Sequence, residues 1–229
     1  MNGYDRYAIY WAPAPGTFAD LAASWLGWDP VSGQTTAHPT VSGLPMPVEA
    51  ITVTPRKYGF HGTVKPPFRL AEGTDAEALH SATTALCEKL APVTMPSLSI
   101  HRIGGFIALT PDGDTQPLAK LAARVVEDLD SFRAPPDAAE IVRRRPERLS
   151  EAQRAHLQRW GYPYVMDQFQ FHLTLSGDLR VAEAEQVEAV LAPLFAPVLP
   201  QPFTVSELCL FGQGSDGMFR NLHRYTLSG

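Results

Sequence analysis

Two histidines stand out for what surrounds them. His61 opens the run His61-Gly62-Thr63-Val64 and His172 opens His172-Leu173-Thr174-Leu175, each preceded by a phenylalanine, Phe60 or Phe171. In a strand, residues i and i+2 point to one face. Each His-x-Thr run therefore presents an imidazole and a hydroxyl side by side, with Phe60 or Phe171 turned to the core. An imidazole with an ordinary pKa of about 6.5 can accept or donate a proton near neutral pH. Two such pairs facing each other suit in-line attack at phosphorus. One histidine takes a proton from water or a ribose hydroxyl, and the other protonates the departing alkoxide. The Thr63 and Thr174 hydroxyls can bond the non-bridging oxygens, where charge must be stabilised. A lone His-x-Thr run is a common feature of structural strands; two matched copies carry the weight here.

Further candidates lie close by. Lys65, two residues past Thr63, shares its face under regular pairing and would add a positive charge. Tyr58 precedes His61 by three residues and reaches the site only across a bulge or a strand end. Arg143 and Arg145 belong to the run Arg143-Arg144-Arg145-Pro146-Glu147-Arg148, which reads either as a lid of guanidinium forks over a phosphate or as a solvated loop. The other histidines, His38, His80, His101, His156 and His223, have no partner at metal-ligand spacing. His101 and His223 sit in strands read as equivalent in the two halves. No CxxC pair, HExxH, Walker loop, GxGxxG or GxSxG occurs. The expectation is a site with no metal and no cofactor.

The elements that must position these residues follow from periodicity and turn signals. A buried strand is expected over Tyr7–Trp11, then a helix through Phe18, Leu21, Ala22 and Trp25 closed by Gly27. Residues 29–50 read as loop and Tyr58–Val64 as strand. Thr74 with Glu77 predicts a capped helix to about Leu90. A hairpin over 98–109 turns at Gly104-Gly105, and a helix capped by Asp114 runs through Leu129. Residues 133–149 read as loop, and Ser150 with Gln153 starts a helix ending at Gly161. A strand over Phe169–Ser176, a helix over Val181–Phe195 and two strands, Phe203–Phe211 and Phe219–Leu227, complete the chain. His-x-Thr, helix and two-stranded return thus appear at 61–109 and again at 172–227, with the motifs 111 residues apart. A single half-length period suggests a duplicated lobe. The expected fold is α+β, with antiparallel sheets, flanking helices and two lobes related by a pseudo-twofold axis about a central cleft. Residues 1–229 form one bilobal domain on this reading, each lobe supplying one motif, 58–65 or 169–176.

The paired motifs resemble the signatures of the two-histidine (2H) phosphoesterase superfamily, which includes the LigT-like RNA cyclic phosphodiesterases. Membership implies a bilobal α+β protein working without metal, with both motifs facing one cleft. The run Lys57-Tyr58-Gly59-Phe60-His61-Gly62-Thr63-Val64-Lys65-Pro66-Pro67-Phe68 is similar to the branch of that superfamily named for phosphonate metabolism. So are Arg145-Pro146-Glu147-Arg148-Leu149 and the stretch to Tyr162-Pro163-Tyr164. That resemblance implies a small cyclic phosphodiester as substrate, a nucleoside 2′,3′-cyclic phosphate or a ribose cyclic phosphate.

Composition is compatible with this. The chain has 229 residues, 45% hydrophobic, with a formal net charge of −5. That size can bury a sizeable core, and the acidity argues against a polynucleotide partner, which needs excess Lys and Arg. No apolar run reaches the roughly 18 residues of a membrane span, and the opening MNGYDRYAIYWAPAPG does not read as a signal peptide. A cytoplasmic protein is expected, with a small phosphorylated substrate, no membrane and no stable nucleic-acid partner. Cys87 and Cys209 lie in apolar stretches and read as buried free thiols. Two other readings remain open: a nucleotide- or RNA-binding module with a catalytically silent cleft, and a metal hydrolase, for which neither motif has supporting carboxylates nearby.

Overall fold

The computed structural model describes residues 3–229; the first two residues of the span read as one domain lie outside the described residues. The chain runs β1 (Arg6–Trp11), α1 (Thr17–Leu26), β2 (Trp28–Asp29), β3 (Gln34–Thr35), α2 (Val48–Arg56), β4 (Gly62–Phe68), α3 (Ala76–Cys87), β5 (Val93–Met95), β6 (Leu98–Ile103), β7 (Phe106–Pro111) and α4 (Gln116–Asp128). It continues through α5 (Ala138–Arg143), α6 (Glu151–Trp160), β8 (Leu173–Thr174), α7 (Val181–Phe195), β9 (Phe203–Val205), β10 (Glu207–Gln213) and β11 (Phe219–Thr226). The expected α+β class with antiparallel sheet is what forms. Seven strands make one antiparallel sheet in the order β11-β10-β1-β4-β8-β7-β6, and β2-β3 and β5-β9 make two short ribbons.

β1 is apolar on both faces, which fits its central place. Tyr7, Ile9 and Trp11 enter the main core; Ala8, Tyr10 and Ala12 enter a smaller cluster with Cys209, Phe211 and Phe219. The order β4-α3-β5-β6-β7 recurs as β8-α7-β9-β10-β11, and β5 pairs with β9 so that Thr94 faces Thr204. The two repeats interleave. α3 packs on β10 and β11 of the later repeat, while α7 packs on β6 and β7 of the earlier one. The part of the sheet around β4 therefore holds β1, β10 and β11, and the part around β8 holds β7 and β6. Neither is a consecutive half of the chain. His101 lies on β6, the first hairpin strand of its repeat, and His223 on β11, the second of its own. The expected equivalence of those two histidines does not hold, and both are exposed on edge strands.

Several boundaries follow the sequence reading. α1 ends on Gly27 at φ 78°, a left-handed position glycine adopts without strain. The Ser150–Gln153 capping box forms at the start of α6. The cap of α3 is displaced by one residue. Asp75, not Thr74, accepts from the Ala78 N–H, and the Thr74 hydroxyl donates to the Ala71 carbonyl. α2 and α5 arise inside stretches read as loop or left unassigned. Cys87 and Cys209 are free and buried, and burial pushes their thiols up to about 12 and about 11. Among the described residues no helix is long and apolar enough to cross a membrane.

Candidate active site

His61 stands one residue before β4, at the end of a turn rather than inside a strand. Gly59, at φ 70°, turns its carbonyl to the ring, which it meets at 2.8 Å from Nδ1. A carbonyl only accepts, so in the neutral ring Nδ1 carries the hydrogen and Nε2 is the basic nitrogen. Nε2 in turn lies 3.1 Å from Thr63 Oγ1, which donates to it. Tyr10 stacks on the imidazole with centroids 3.8 Å apart and planes 24° from parallel. Burial lowers the pKa to about 4; the Gly59 carbonyl works against that shift and the nearby His172 adds to it.

His172 repeats this arrangement. It stands one residue before β8, and its Nδ1 donates to the Gln170 carbonyl at 2.8 Å, so its Nε2 is also the basic nitrogen. Its ring lies 5.5 Å from Phe106 across the turn between β6 and β7. Burial lowers its pKa, with the Gln170 carbonyl opposing. Both imidazoles are thus neutral at pH 7.

The motifs are held together at the middle of the sheet. β4 and β8 pair through Gly62 and Leu173. Phe60 and Phe171, 3% and 5% exposed, turn into the core as expected. A side chain on Gly62 would overlap the Phe171 ring, so glycine at the centre of the first motif lets the phenylalanine of the second cross over it. His61, His172 and Thr174 line one cavity of about 430 Å³. Thr63 and His172 line an adjoining cavity of about 460 Å³, and His172, Phe106 and Asp178 belong to both.

The surrounding candidates divide. Tyr58 lines the first cavity beside His61, with ring centroids 6.0 Å apart. It reaches the site because residues 57–61 form a turn, so strand alternation does not govern it. Lys65 does not join the site. β4 pairs with β1 through Tyr10–Thr63 and then Ile9–Lys65, and the register shift between them marks a bulge that places an extra residue in β4. That residue turns Lys65 from the face of Tyr10 to the face of Ile9, into the main core. Lys65 is 1% exposed, and its ammonium donates to the Val126 carbonyl in the last turn of α4 and pairs with Asp130 at 3.5 Å. Its burial lowers the pKa to about 8, although Asp130 counteracts this. Arg145 lines none of the cavities described here. At φ 49° it is the left-handed residue that ends the turn after α5, with its N–H on the Val142 carbonyl. Arg143 lines a separate cavity with Arg144, Arg6 and Lys57.

Residues unnoticed in the sequence complete the site. Tyr10 comes from β1, fifty-one residues before its partner. Phe106 and Asp178 are brought together at the β6–β7 turn, where the Leu179 N–H donates to the Gly105 carbonyl. Asp178 is a carboxylate six residues past His172, closer to a motif than the sequence reading allowed. Ser176 continues the i+2 pattern of His172 and Thr174, and its hydroxyl accepts from the Ile107 N–H to pin this segment to β7. Tyr162 and Tyr164, already part of the resembling stretch, line the larger cavity. Among the described residues no three His, Cys, Asp or Glu side chains are grouped to hold a metal ion.

Fold and site together define an α+β protein with a repeated strand–helix–hairpin unit and one His-Thr pair from each repeat at the seam. Residues 63–220 match the family described as "Protein of unknown function (DUF1045)", and the chain belongs to that family. It is 35% identical over 184 residues to a protein of Janthinobacterium sp. (strain Marseille) named ribose 1,5-bisphosphate phosphokinase PhnN, covering 80% of this chain and 41% of the relative. A protein of the same name from Laribacter hongkongensis (strain HLHK9) is 32% identical over 213 residues, 93% of this chain and 49% of the relative. The chain spans less than half the length of these curated relatives. Among solved structures, E. coli LigT complexed with 3′-AMP matches over 99% of both chains, with 14% identity and a TM-score of 0.44.

Proposed function

We propose that this protein is a metal-independent two-histidine phosphoesterase that opens a small cyclic phosphodiester. The observation that carries the reading is the matched pair of tautomer-fixed histidines lining one cavity, each with Nδ1 on the carbonyl two residues earlier. An entering phosphate diester brings a negative charge that raises the pKa of the imidazole it touches. One histidine then carries a proton on Nε2 while the other keeps its lone pair. The neutral one takes a proton from water as the new O–P bond forms. The protonated one gives its proton to the ring oxygen as the old O–P bond breaks, leaving a phosphomonoester. Thr63 and Thr174 donate to the non-bridging oxygens; for Thr63 this means releasing His61 Nε2, which frees that nitrogen for the proton transfer. The two imidazoles exchange protonation states in the turnover and are reset by solvent.

The longer relatives are named for action on ribose 1,5-bisphosphate, which supports a ribose phosphate over a polynucleotide, as the net charge does. The test is turnover of 2′,3′-cyclic nucleotides and ribose cyclic phosphates in EDTA. His61→Ala and His172→Ala are each expected to lose about a thousandfold or more in kcat/KM, since each removes a proton-transfer group from a site that needs both, while circular dichroism stays unchanged. Activity retained in both variants sinks the mechanism. Tight binding of cyclic phosphates without turnover identifies the silent binding module instead, and loss of activity in EDTA the metal hydrolase.

A further inference from the structure

A third cavity lies against the two that His172 lines and is itself lined by four cations from three distant stretches: Arg6, Lys57, Arg143 and Arg144. Tyr58 belongs to this cavity and to the one holding His61 and His172. It adjoins the larger catalytic cavity too, because Pro67 and Gly161 line it while their neighbours Pro66 and Tyr162 line the other. The Arg144 guanidinium lies 4.5 Å from the centre of the Tyr162 ring, which anchors that edge of the wall.

Four cations in this lining face a single carboxylate. Among the described residues none of the four cations has a carboxylate within ion-pair distance. Glu140, the acid in the lining, pairs with Arg69 at 3.0 Å, accepts from the Asp137 N–H and is within electrostatic reach of Arg143, which leaves Arg6, Lys57 and Arg144 without a carboxylate in this lining. The fold thus gathers like charges from β1, the turn after α2 and the end of α5 in a chain of net charge −5. Like charges brought together repel, and an anion shared among them removes that cost. Guanidinium forks suit phosphate oxygens in particular.

We infer that this basic cavity binds a second phosphate group of the substrate, one carried on the same small molecule whose cyclic diester lies between the histidines. The inference rests on the proposed phosphodiesterase reading and narrows its substrate to a cyclic phosphodiester that also bears a phosphomonoester. The reaction that supplies it must leave such a doubly phosphorylated molecule, and the product is a bisphosphate.

The test compares cytidine 2′,3′-cyclic phosphate with its 5′-phosphate. The wild type is expected to favour the 5′-phosphate probe in kcat/KM by about tenfold to a hundredfold, the scale of one or two charge-assisted hydrogen bonds. Arg143→Ala/Arg144→Ala should bring that ratio towards one, and so should Lys57→Ala, whose side chain is exposed and clear of the core should the double variant fail to fold. Equal kcat/KM for both probes in the wild type, or an unchanged ratio in both variants, overturns the inference and leaves the phosphodiesterase standing. Equal kcat/KM together with stimulation of the 5′-hydroxyl probe by inorganic phosphate also overturns it, by making the cavity a site for a free anion. If neither probe nor a ribose cyclic phosphate turns over, the functional reading has failed, and calorimetry with ribose 5-phosphate against ribose decides the cavity. Binding of the phosphorylated sugar alone, lost in Lys57→Ala, upholds it; no binding, or binding indifferent to Lys57, overturns it.

Discussion

At the scale of single residues, the site depends on two backbone carbonyls. Gly59 and Gln170 hold Nδ1 of the two imidazoles as donors and so place both basic nitrogens at Nε2. The pKa values set the working pH. On the proposed mechanism the free protein is competent when one histidine is protonated and the other neutral. That form is most populated between about 4, the value for His61, and the lowered value of His172, which lies under 6.5. The profile of kcat/KM should therefore peak on the acid side of neutrality and fall as pH rises through 7. In the complex the bound phosphate favours the charged imidazole, so the profile of kcat should lie further towards alkaline pH. Initial rates across pH 4–9 at low and at saturating substrate measure both. A kcat/KM that is flat from pH 5 to 9 excludes paired acid–base chemistry at these residues. The apparent values belong to the pair, since each ring influences the other.

At the scale of elements, β4 shows how far the sequence can be read. The apolar alternation and turn signals around β1, α1, the β6–β7 hairpin, α6 and α7 locate those elements because local pattern and tertiary packing agree there. α2 is rich in β-branched residues and carries Pro55, all poor helix formers, yet Val48, Ile51, Thr52 and Pro55 are buried against neighbours that hold it helical. The bulge in β4 leaves no mark in the residue pattern, and it alone decides that Thr63 faces the cleft while Lys65 faces the core. The four His and Thr positions were legible because their chemistry is local to each motif. Lys65 was not, because one inserted residue changes the face. Lys65 instead caps the last turn of α4, where an ammonium meets unpaired carbonyls. Its folded pKa, about 8, lies below the unfolded value of about 10.4. Between those values the unfolded chain binds more protons, so this group adds stability as pH rises. Lys65→Met should therefore remove a rise in stability between pH 8 and 10 relative to wild type, in urea titrations at fixed pH. Its kcat/KM on cyclic phosphates should stay within about threefold of wild type, because no interaction with the reacting groups is lost. A loss of hundredfold with unchanged stability would return Lys65 to the catalytic machinery.

At the scale of the whole molecule, the exchange of helices between repeats explains how two distant motifs become one site. Each His-Thr strand lies at the seam, but the hairpin that completes each side of the sheet comes from the other repeat, and the helix after each motif covers that exchanged hairpin. Pairing of β5 with β9 and of Gly62 with Leu173 ties the two repeats at two further places. A chain cut at the Asp112-Gly113 turn after β7 would therefore separate α3 from the β10–β11 hairpin it covers, and β6–β7 from α7. The apolar faces involved, among them Leu79, Leu86, Val187 and Leu191, are buried in the intact protein. Exposing them costs each fragment about 1.5–3 kcal/mol per large side chain, against a typical domain stability of only about 5–15 kcal/mol. Each fragment alone should therefore lack a cooperative melting transition, whereas the intact chain should unfold in one transition seen alike by circular dichroism and tryptophan fluorescence. Mixed or co-expressed, the fragments should reassemble, and phosphoesterase activity should return with the cooperative transition, because His61 and His172 share a cavity only when both repeats are present. Independent folding of either fragment would show instead that each repeat holds its own core and that the site forms by docking of two finished lobes.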